Sequence, residues 1–337
     1  MQRSNLLTNQ QLANLAPLQL PFYRHNRYSG DDSGIVLADF TLESQHTIRG
    51  VYAALLELLA LCTAYKDQTL PRDGLKQLLD AAQWSHLMHQ LQHLEASHAT
   101  THHDQVNEVM HDVRGGGCAA LSINLQLIAL DIVDLNDTLR VFFLTRDHLK
   151  IMRSAIRDLD PPRYEADYSQ KLHNVKLIVE KWTDAVHKYA TTSAHVSVDC
   201  QFDGNISERC LEFAALDRVL YNVLNNAVRH TADETVHLAI FSLAGEHPHD
   251  VRFVVYNAIT AAHQHILQAK FGSDINRLFA GGFTTGGTGL GMHICAQFVT
   301  NAYGLGSPKH ALAERHLGAK IIDEQFVVWF HWPIAAD

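Results

Sequence analysis

Apolar positions recur at helical spacing through the first half of the chain and give way to short β-branched and aromatic runs in the second. From about Thr41 to Ala64, residues Ile48, Val51, Tyr52, Leu55, Leu56 and Leu59 share one stripe, which predicts a helix. The segment KDQTLPRDG punctuates it, and a second helix is expected from about Asp73 to Ala96. A third should start at Asp104, a side chain suited to capping, and run to about Leu130. After the turn-like DIVDLND, a fourth is expected from about Thr138 to Leu159, with Pro161-Pro162 as its stop. Residues 1–40 mix Asn, Gln, Pro and Gly and read as an irregular lead-in. Beyond a break near Pro161–Tyr168 come VHLAIFSL, VRFVVYN and FVVWFHW, strand-like runs alternating with helices. The fold class that follows is α+β: an N-terminal helical bundle, then an α/β sandwich whose mixed sheet carries helices on one face.

Composition narrows the function. Of 337 residues 47% are hydrophobic and 19% charged, enough for real cores and too apolar for long disorder. A net charge of −9 argues against nucleic acid, whose phosphates call for a basic surface. Cys62, Cys118, Cys200, Cys210 and Cys295 lack metal-type spacing and suit a reducing compartment, so a cytoplasmic location is expected. No basic-then-apolar leader opens the sequence. The best apolar run, Val51 to Tyr65, contains Glu57 and falls short of the about 20 residues of a membrane span. His86, His89 and His93 share a helical face, which reads as a polar surface before it reads as a metal site.

Two segments carry chemistry. In GGFTTGGTGLGMHI, residues 281–294, glycines 286, 287, 289 and 291 precede an amphipathic helix, Met292 to Tyr303. Glycines admit a phosphate close to the backbone, and a helix start offers unpaired N–H groups. In LDRVLYNVLNNAVRHT, residues 216–231, Leu216, Val219, Leu220, Val223 and Leu224 form the apolar stripe. Asn222, Asn226, Arg229 and His230 fall on another face, where amide oxygens and a cation could hold Mg²⁺ and a triphosphate. Together NVLNNAVRHT and LFAGGFTTGGTGLGM resemble, in order, the N box and last glycine box of the GHKL ATPases, in particular the catalytic domain of sensor histidine kinases.

The resemblance covers about residues 170–335 and implies an ATP-binding catalytic domain over 168–337. It implies that Asn226 ligates Mg²⁺, that Asn222 lines the nucleotide site, and that Arg229 and His230 face the phosphates. It puts Phe283 in the F box, with Thr285, Gly287, Thr288, Gly289, Leu290 and Gly291 closing over the phosphates. One departure stands out at VVYNAIT: Asn257 occupies the adenine-reading Asp position, and Ala258, Ile259 and Thr260 replace the glycines. A neutral amide is a weaker acceptor than a carboxylate, so weakened nucleotide binding is expected.

The family also carries a phosphorylated histidine upstream of the N box, and HDVR matches its H-E/D-x-R pattern. His111 is then the phosphoacceptor, pointing off the stripe of Val106, Val109, Met110 and Val113 towards solvent, with Asp112 as the assisting acid and Arg114 as the family's basic residue. Gly115 replaces a Thr or Asn that supports phosphatase activity, and Gly116-Gly117 replace Pro-Leu, which permits a kink. The implied organisation is a hairpin at 41–98, a phosphotransfer hairpin at 99–162 and the catalytic domain. QHTIRGVYAALLELL from Gln45 parallels MHDVRGGGCAALSINL from Met110, so 41–98 reads as a degenerate copy, His46 having lost its acidic neighbour. The implied protein is a two-component transferase and phosphoprotein, using ATP and Mg²⁺ to phosphorylate His111 and passing the group to a response-regulator receiver domain. It would act as a homodimer, or as a monomer whose two hairpins form the bundle. The alternative is a relay or scaffold that binds a receiver domain without using ATP.

Overall fold

In a computed structural model, described over residues 6–17, 20–21, 34–65, 70–130, 136–189, 192–242, 249–282 and 289–335, the chain divides into two units. Residues 31–169 form one unit, which is helical; residues 1–30 and 170–337 form the other, which is built on a sheet. The first helix, α1 (Asn9–Ala13), belongs to the sheet unit. The helical unit holds α2 (Leu42–Ala64), α3 (Arg72–Ala81), α4 (Trp84–Gln92), α5 (His103–Arg114), α6 (Gly116–Ala129), α7 (Asn136–Ala155) and α8 (Pro161–Asp167).

Helix α2 starts at Thr41, whose hydroxyl accepts from the Ser44 N–H. At 23 residues and a mean hydropathy of 1.5 it is long and apolar enough to cross a membrane by length and composition. Ile48, Val51, Leu55, Leu58 and Cys62 have no exposure, and the helix packs against α4 and α7, as a core helix does. Three helix boundaries depart from the sequence reading. The helix expected over 73–96 is two, because Gln83 adopts a left-handed conformation (φ 49°) between them. The helix expected over 104–130 breaks at Gly115, which ends α5 and caps α6. The fourth ends at Ala155, and Pro161 starts α8 instead of stopping a helix: its missing N–H costs nothing at a first turn, and Asp160 caps it.

The sheet unit continues with β1 (Gln170–Asn174), α9 (Lys176–Trp182), β2 (Val186–Tyr189), β3 (Thr192–Cys200), β4 (Asn205–Arg209), α10 (Cys210–His230), β5 (Thr235–Ser242), β6 (Asp250–Ala258), α11 (Ala261–Phe271), α12 (Gly291–Tyr303), α13 (Pro308–Ala313), β7 (Leu317–Ile322) and β8 (Gln325–Pro333). Strands β1 and β4 pair by themselves. The other six form a mixed sheet in the order β2-β3-β5-β6-β8-β7, with β3 and β5 parallel and the remaining pairs antiparallel. The strand-like runs of the sequence are β5, β6 and β8, and the architecture is α+β as expected.

Strand β6 is buried along all but its ends, which is why it reads as an apolar run instead of an alternation. By alternation Val251, Phe253, Val255 and Asn257 share one face; Phe253 stacks on Phe330 of β8 at 5.0 Å, and α10 and α12 cover that side. On the other face Val254, Tyr256, Ala239, Val327 and Trp329 pack with Leu7, Leu12, Leu15 and Ala16. The lead-in therefore contains an ordered piece, a short helix capped by Thr8 and laid on the sheet.

Gly318 of β7 lies opposite Trp329 of β8, and an added Cβ would come within 2.2 Å of an indole carbon. Gly318→Ala should therefore destabilise the sheet unit by about 1–3 kcal/mol through overpacking. A fall in the denaturant midpoint at unchanged slope would show it, and a wild-type midpoint would contradict this account.

Candidate nucleotide and phosphoacceptor sites

Helix α10 is the scaffold of the first site. Every residue from Cys210 to Val228 is buried except Asn222, Asn225 and Asn226, and the last two residues, Arg229 and His230, are half-buried. Most of the buried positions are apolar, Glu212, Asp217 and Arg218 being buried with them, and the helix opens to water only at its polar C-terminal face. The apolar stripe and the polar set read from the sequence are both in place; Asn225, which the spacing argument passed over, joins the latter.

Helix α12 brings the glycine segment to that face. A Cβ on Gly291 would sit 3.4 Å from Asn222 Oδ1, which places the start of α12 directly against α10. One residue on, the Asn226 amide nitrogen donates to Met292 Sδ at 3.3 Å, which sets the amide oxygen on the opposite side. Gly289 takes φ +73°, and its carbonyl accepts from the Gly282 N–H at 3.2 Å. Leu290 is the N-cap of α12, a 13-residue helix whose first residue, Gly291, lies against Asn222. Asn222, Asn226, Gly289, Leu290 and Gly291 are thus brought together. Phe283, Thr285, Gly287 and Thr288 lie outside the described residues.

Asn257 stands near the end of β6 at 1% exposure, on the helix-covered face, and its amide nitrogen donates to the Ala258 carbonyl at 3.0 Å. Two residues that sequence reasoning missed frame the site. His263 of α11 stacks on His230 with ring centroids 4.4 Å apart and planes 16° from parallel. His293 Nδ1 donates to Phe279 O at 3.1 Å while its Nε2 accepts from Gln297 at 3.3 Å, tying α12 to the segment before the glycines. Neither shows a periodic signal in one sequence, since each works through a partner remote in the chain. Burial lowers the pKa of His230 to about 4, with the neighbouring His263 and Arg229 adding to the effect.

The second site is the end of α5. His111 Nδ1 lies 3.3 Å from Asp112 Oδ1. The expectation that His111 faces solvent needs correction: its side chain is only 14% exposed and that of Asp112 only 5%. Both occupy the last turn before the break at Gly115, where the helix packs on α7. A Cβ on Gly115 would lie 2.9 Å from the His111 carbonyl oxygen, so the backbone closes in on the histidine at that point. Arg114 is tied to main chain: Nε donates to Met110 O and a terminal nitrogen to Gln92 O, both at 3.0 Å. It locks the end of α5 beside α4, and burial pulls its pKa down. Fully buried His148 of α7, also absent from the sequence reading, lies within electrostatic reach of Asp112 and Asp147 and is held neutral by burial, its pKa lowered to about 4.

Residues 212–335 match the family model described as Histidine kinase-, DNA gyrase B-, and HSP90-like ATPase. The sheet unit carries an ATPase domain of this type. The match takes in the N box, Asn257 and the glycine segment, in agreement with the resemblance read from the sequence. Similar solved structures include the mycobacterial sensor histidine kinase MprB (15% identity, 50% of this chain and 99% of that one, TM-score 0.30). The Acinetobacter baumannii histidine kinase AdeS is another (12% identity, 67% and 98%, TM-score 0.32). Full-length ShkA in complex with AMPPNP is a third (16% identity, 69% and 45%, TM-score 0.34). No curated protein matches the chain.

The buried imidazoles set a pH dependence. His230 and His148 have folded pKa values near 4 against 6.5 in the unfolded chain, so the unfolded state binds more protons between those limits. Stability should be full above pH 6.5 and fall as the pH drops from 6.5 through about 4. Denaturant midpoints measured across this range should decline, with a shallower decline for His230→Gln. A flat profile would mean that these rings are solvated.

Proposed function

We propose that the chain is a protein-histidine kinase, in which ATP held by the sheet unit phosphorylates His111. The reading rests on one arrangement: a carboxylate, itself buried, set against Nδ1 of His111 at a helix break, in a chain that also carries the ATPase domain. With Nδ1–H donating to Asp112, the lone pair on Nε2 is directed away from the acid and is the nucleophile. Nε2 attacks the γ-phosphorus, the bond from phosphorus to the β–γ bridging oxygen breaks, and ADP leaves. The Nδ1 proton is drawn towards Asp112 as positive charge develops on the ring. In a second displacement an aspartate oxygen of a response-regulator receiver domain takes the phosphoryl group and His111 returns to its neutral form.

At the nucleotide, Asn226 and Asn222 offer hard amide oxygens, and the start of α12 offers backbone N–H groups and the positive end of a helix dipole. This donor set fits a Mg²⁺–triphosphate, Mg²⁺ supplying neutralisation of charge on the β- and γ-phosphates. Arg229 and His230 are the cation and the neutral donor for the same phosphates. Asn257 would accept from the adenine amino group once its side chain turns from the Ala258 carbonyl, which makes adenine binding weak. That one observation favours a second reading, a relay that holds a receiver domain without turning over ATP.

Incubation with γ-labelled ATP and Mg²⁺ separates the two. An acid-labile, base-stable label should appear on the wild type and vanish in His111→Gln; full labelling of that variant would remove His111 from the mechanism. Asn226→Ala should abolish calorimetric Mg²⁺–ATP binding in a folded protein, because the residue lies off the apolar stripe. Asn257→Asp should tighten adenine nucleotides about tenfold, the worth of replacing a neutral by a charged acceptor, roughly 1.4 kcal/mol. No gain at position 257 would mean that adenine lies elsewhere.

A further inference from the structure

The face of the sheet away from α10 and α12 contains a cation with no exposure. Arg252, in mid-β6, donates Nε to His331 Nε2 at 2.8 Å. One terminal nitrogen donates to the carbonyls of Leu12 and Ala13, both at 2.8 Å, and the other to those of Ala16 at 3.0 Å and Pro17 at 3.2 Å. His316 Nε2 adds a bond to the carbonyl of Pro21 at 2.7 Å. These carbonyls lie at and beyond the C-terminal end of α1, where a helix leaves its acceptors without partners. The guanidinium thus caps α1 from the sheet. Leu12 and Leu15 are the apolar anchors beside it, on Val254 and Trp329.

Connectivity gives this docking a consequence. The helical unit, 31–169, is inserted between two pieces of the sheet unit, and the earlier piece is fastened to the sheet by the Arg252 hydrogen bonds and by four buried apolar side chains, Leu7, Leu12, Leu15 and Ala16. A five-residue helix has no stability of its own, so these residues keep their form only while they are docked. We propose that residues 7–17 are a releasable strap: docked, they make a second tether that restricts the arrangements the two units can take, and undocked, they leave only the Ser169–Gln170 connection. The proposal rests on the kinase reading for its effect on activity. Phosphorylation of His111 requires the nucleotide to come to the histidine, and transfer onward requires it to leave, so the reaction needs at least two arrangements. Two tethers to one neighbour reduce the number available. Release of the strap speeds labelling of His111 without altering nucleotide affinity.

The test uses the full chain carrying Leu12→Asp together with Leu15→Asp, which removes the anchors and leaves the sheet intact, alongside Arg252→Met, which removes the clamp. Hydrogen exchange should rise over residues 7–17 and stay protected in β6 and β8. Small-angle X-ray scattering should show a larger maximum dimension, and the rate of γ-label incorporation should rise several-fold at unchanged KM for ATP. Loss of protection in β6 and β8 along with the strap would overturn the proposal, since the segment would then be part of the sheet's core. So would an exposed strap with unchanged scattering, or with labelling at or below the wild-type rate. If the wild type takes up no label, the kinase reading fails by itself, and scattering still decides whether the strap is a tether.

Discussion

Burial of α10 on nearly every side is the constraint from which the sheet unit follows. The helix meets strands of both sheets and α12, and even its charged Glu212, Asp217 and Arg218 lie out of water. Leu216, Val219, Leu220 and Leu224 lose essentially all contact with water, and each such side chain contributes about 1.5–3 kcal/mol. The polar residues left partly open to water are confined to one short face near the C-terminus. Asn222, Asn226, Arg229 and His230 are therefore presented by a rod that cannot rotate or slide without opening the core. A site that must hold several phosphate oxygens gains from such a support, because geometry set by packing does not have to be set again by the ligand.

The helical unit solves a different problem. On the proposed reading His111 has to be nucleophilic and reachable, yet it sits on a helix whose apolar stripe must be buried. Breaking the helix at Gly115 ends α5 in the turn that carries His111 and Asp112, and α6 resumes on a new axis. The histidine is left one-seventh exposed, with its acid beneath it. The same glycine that departs from the family's pattern thus shapes the backbone beside the histidine.

What could be read in advance divides along physical lines. The N-box stripe was legible because a 3.6-residue period over a long helix is a strong signal, and β5, β6 and β8 because their β-branched and aromatic runs are dense. The helix breaks were hidden. Gln83 carries no marker of a left-handed conformation, and three consecutive glycines are as compatible with a kink as with a full stop. The near-burial of His111 was hidden as well, since α7 and Arg114, which reaches Gln92, hold the end of α5 through contacts between distant residues. The His230–His263 stack and the His293 tie joined residues 33 and 14 apart through folded geometry alone, beyond what periodicity encodes. Residues 7–17 looked featureless because eleven residues of mixed polarity, four of them anchoring on someone else's sheet, leave no repeat to detect.

That anchoring also bears on how the chain comes to its native state. Leu12 and Arg252 are separated by 240 residues and yet share a hydrogen bond, among the longest-range contacts a chain of this length can make. During synthesis α1 emerges before any strand it rests on, and the whole helical unit can fold while it waits. Contacts of such sequence separation form late, after the loop they close has lost its entropy. The sheet unit consequently finishes its outer face last, and a nascent chain halted before β8 would present Val254 and Tyr256 to water as a sticky, unfinished surface that invites chaperone binding.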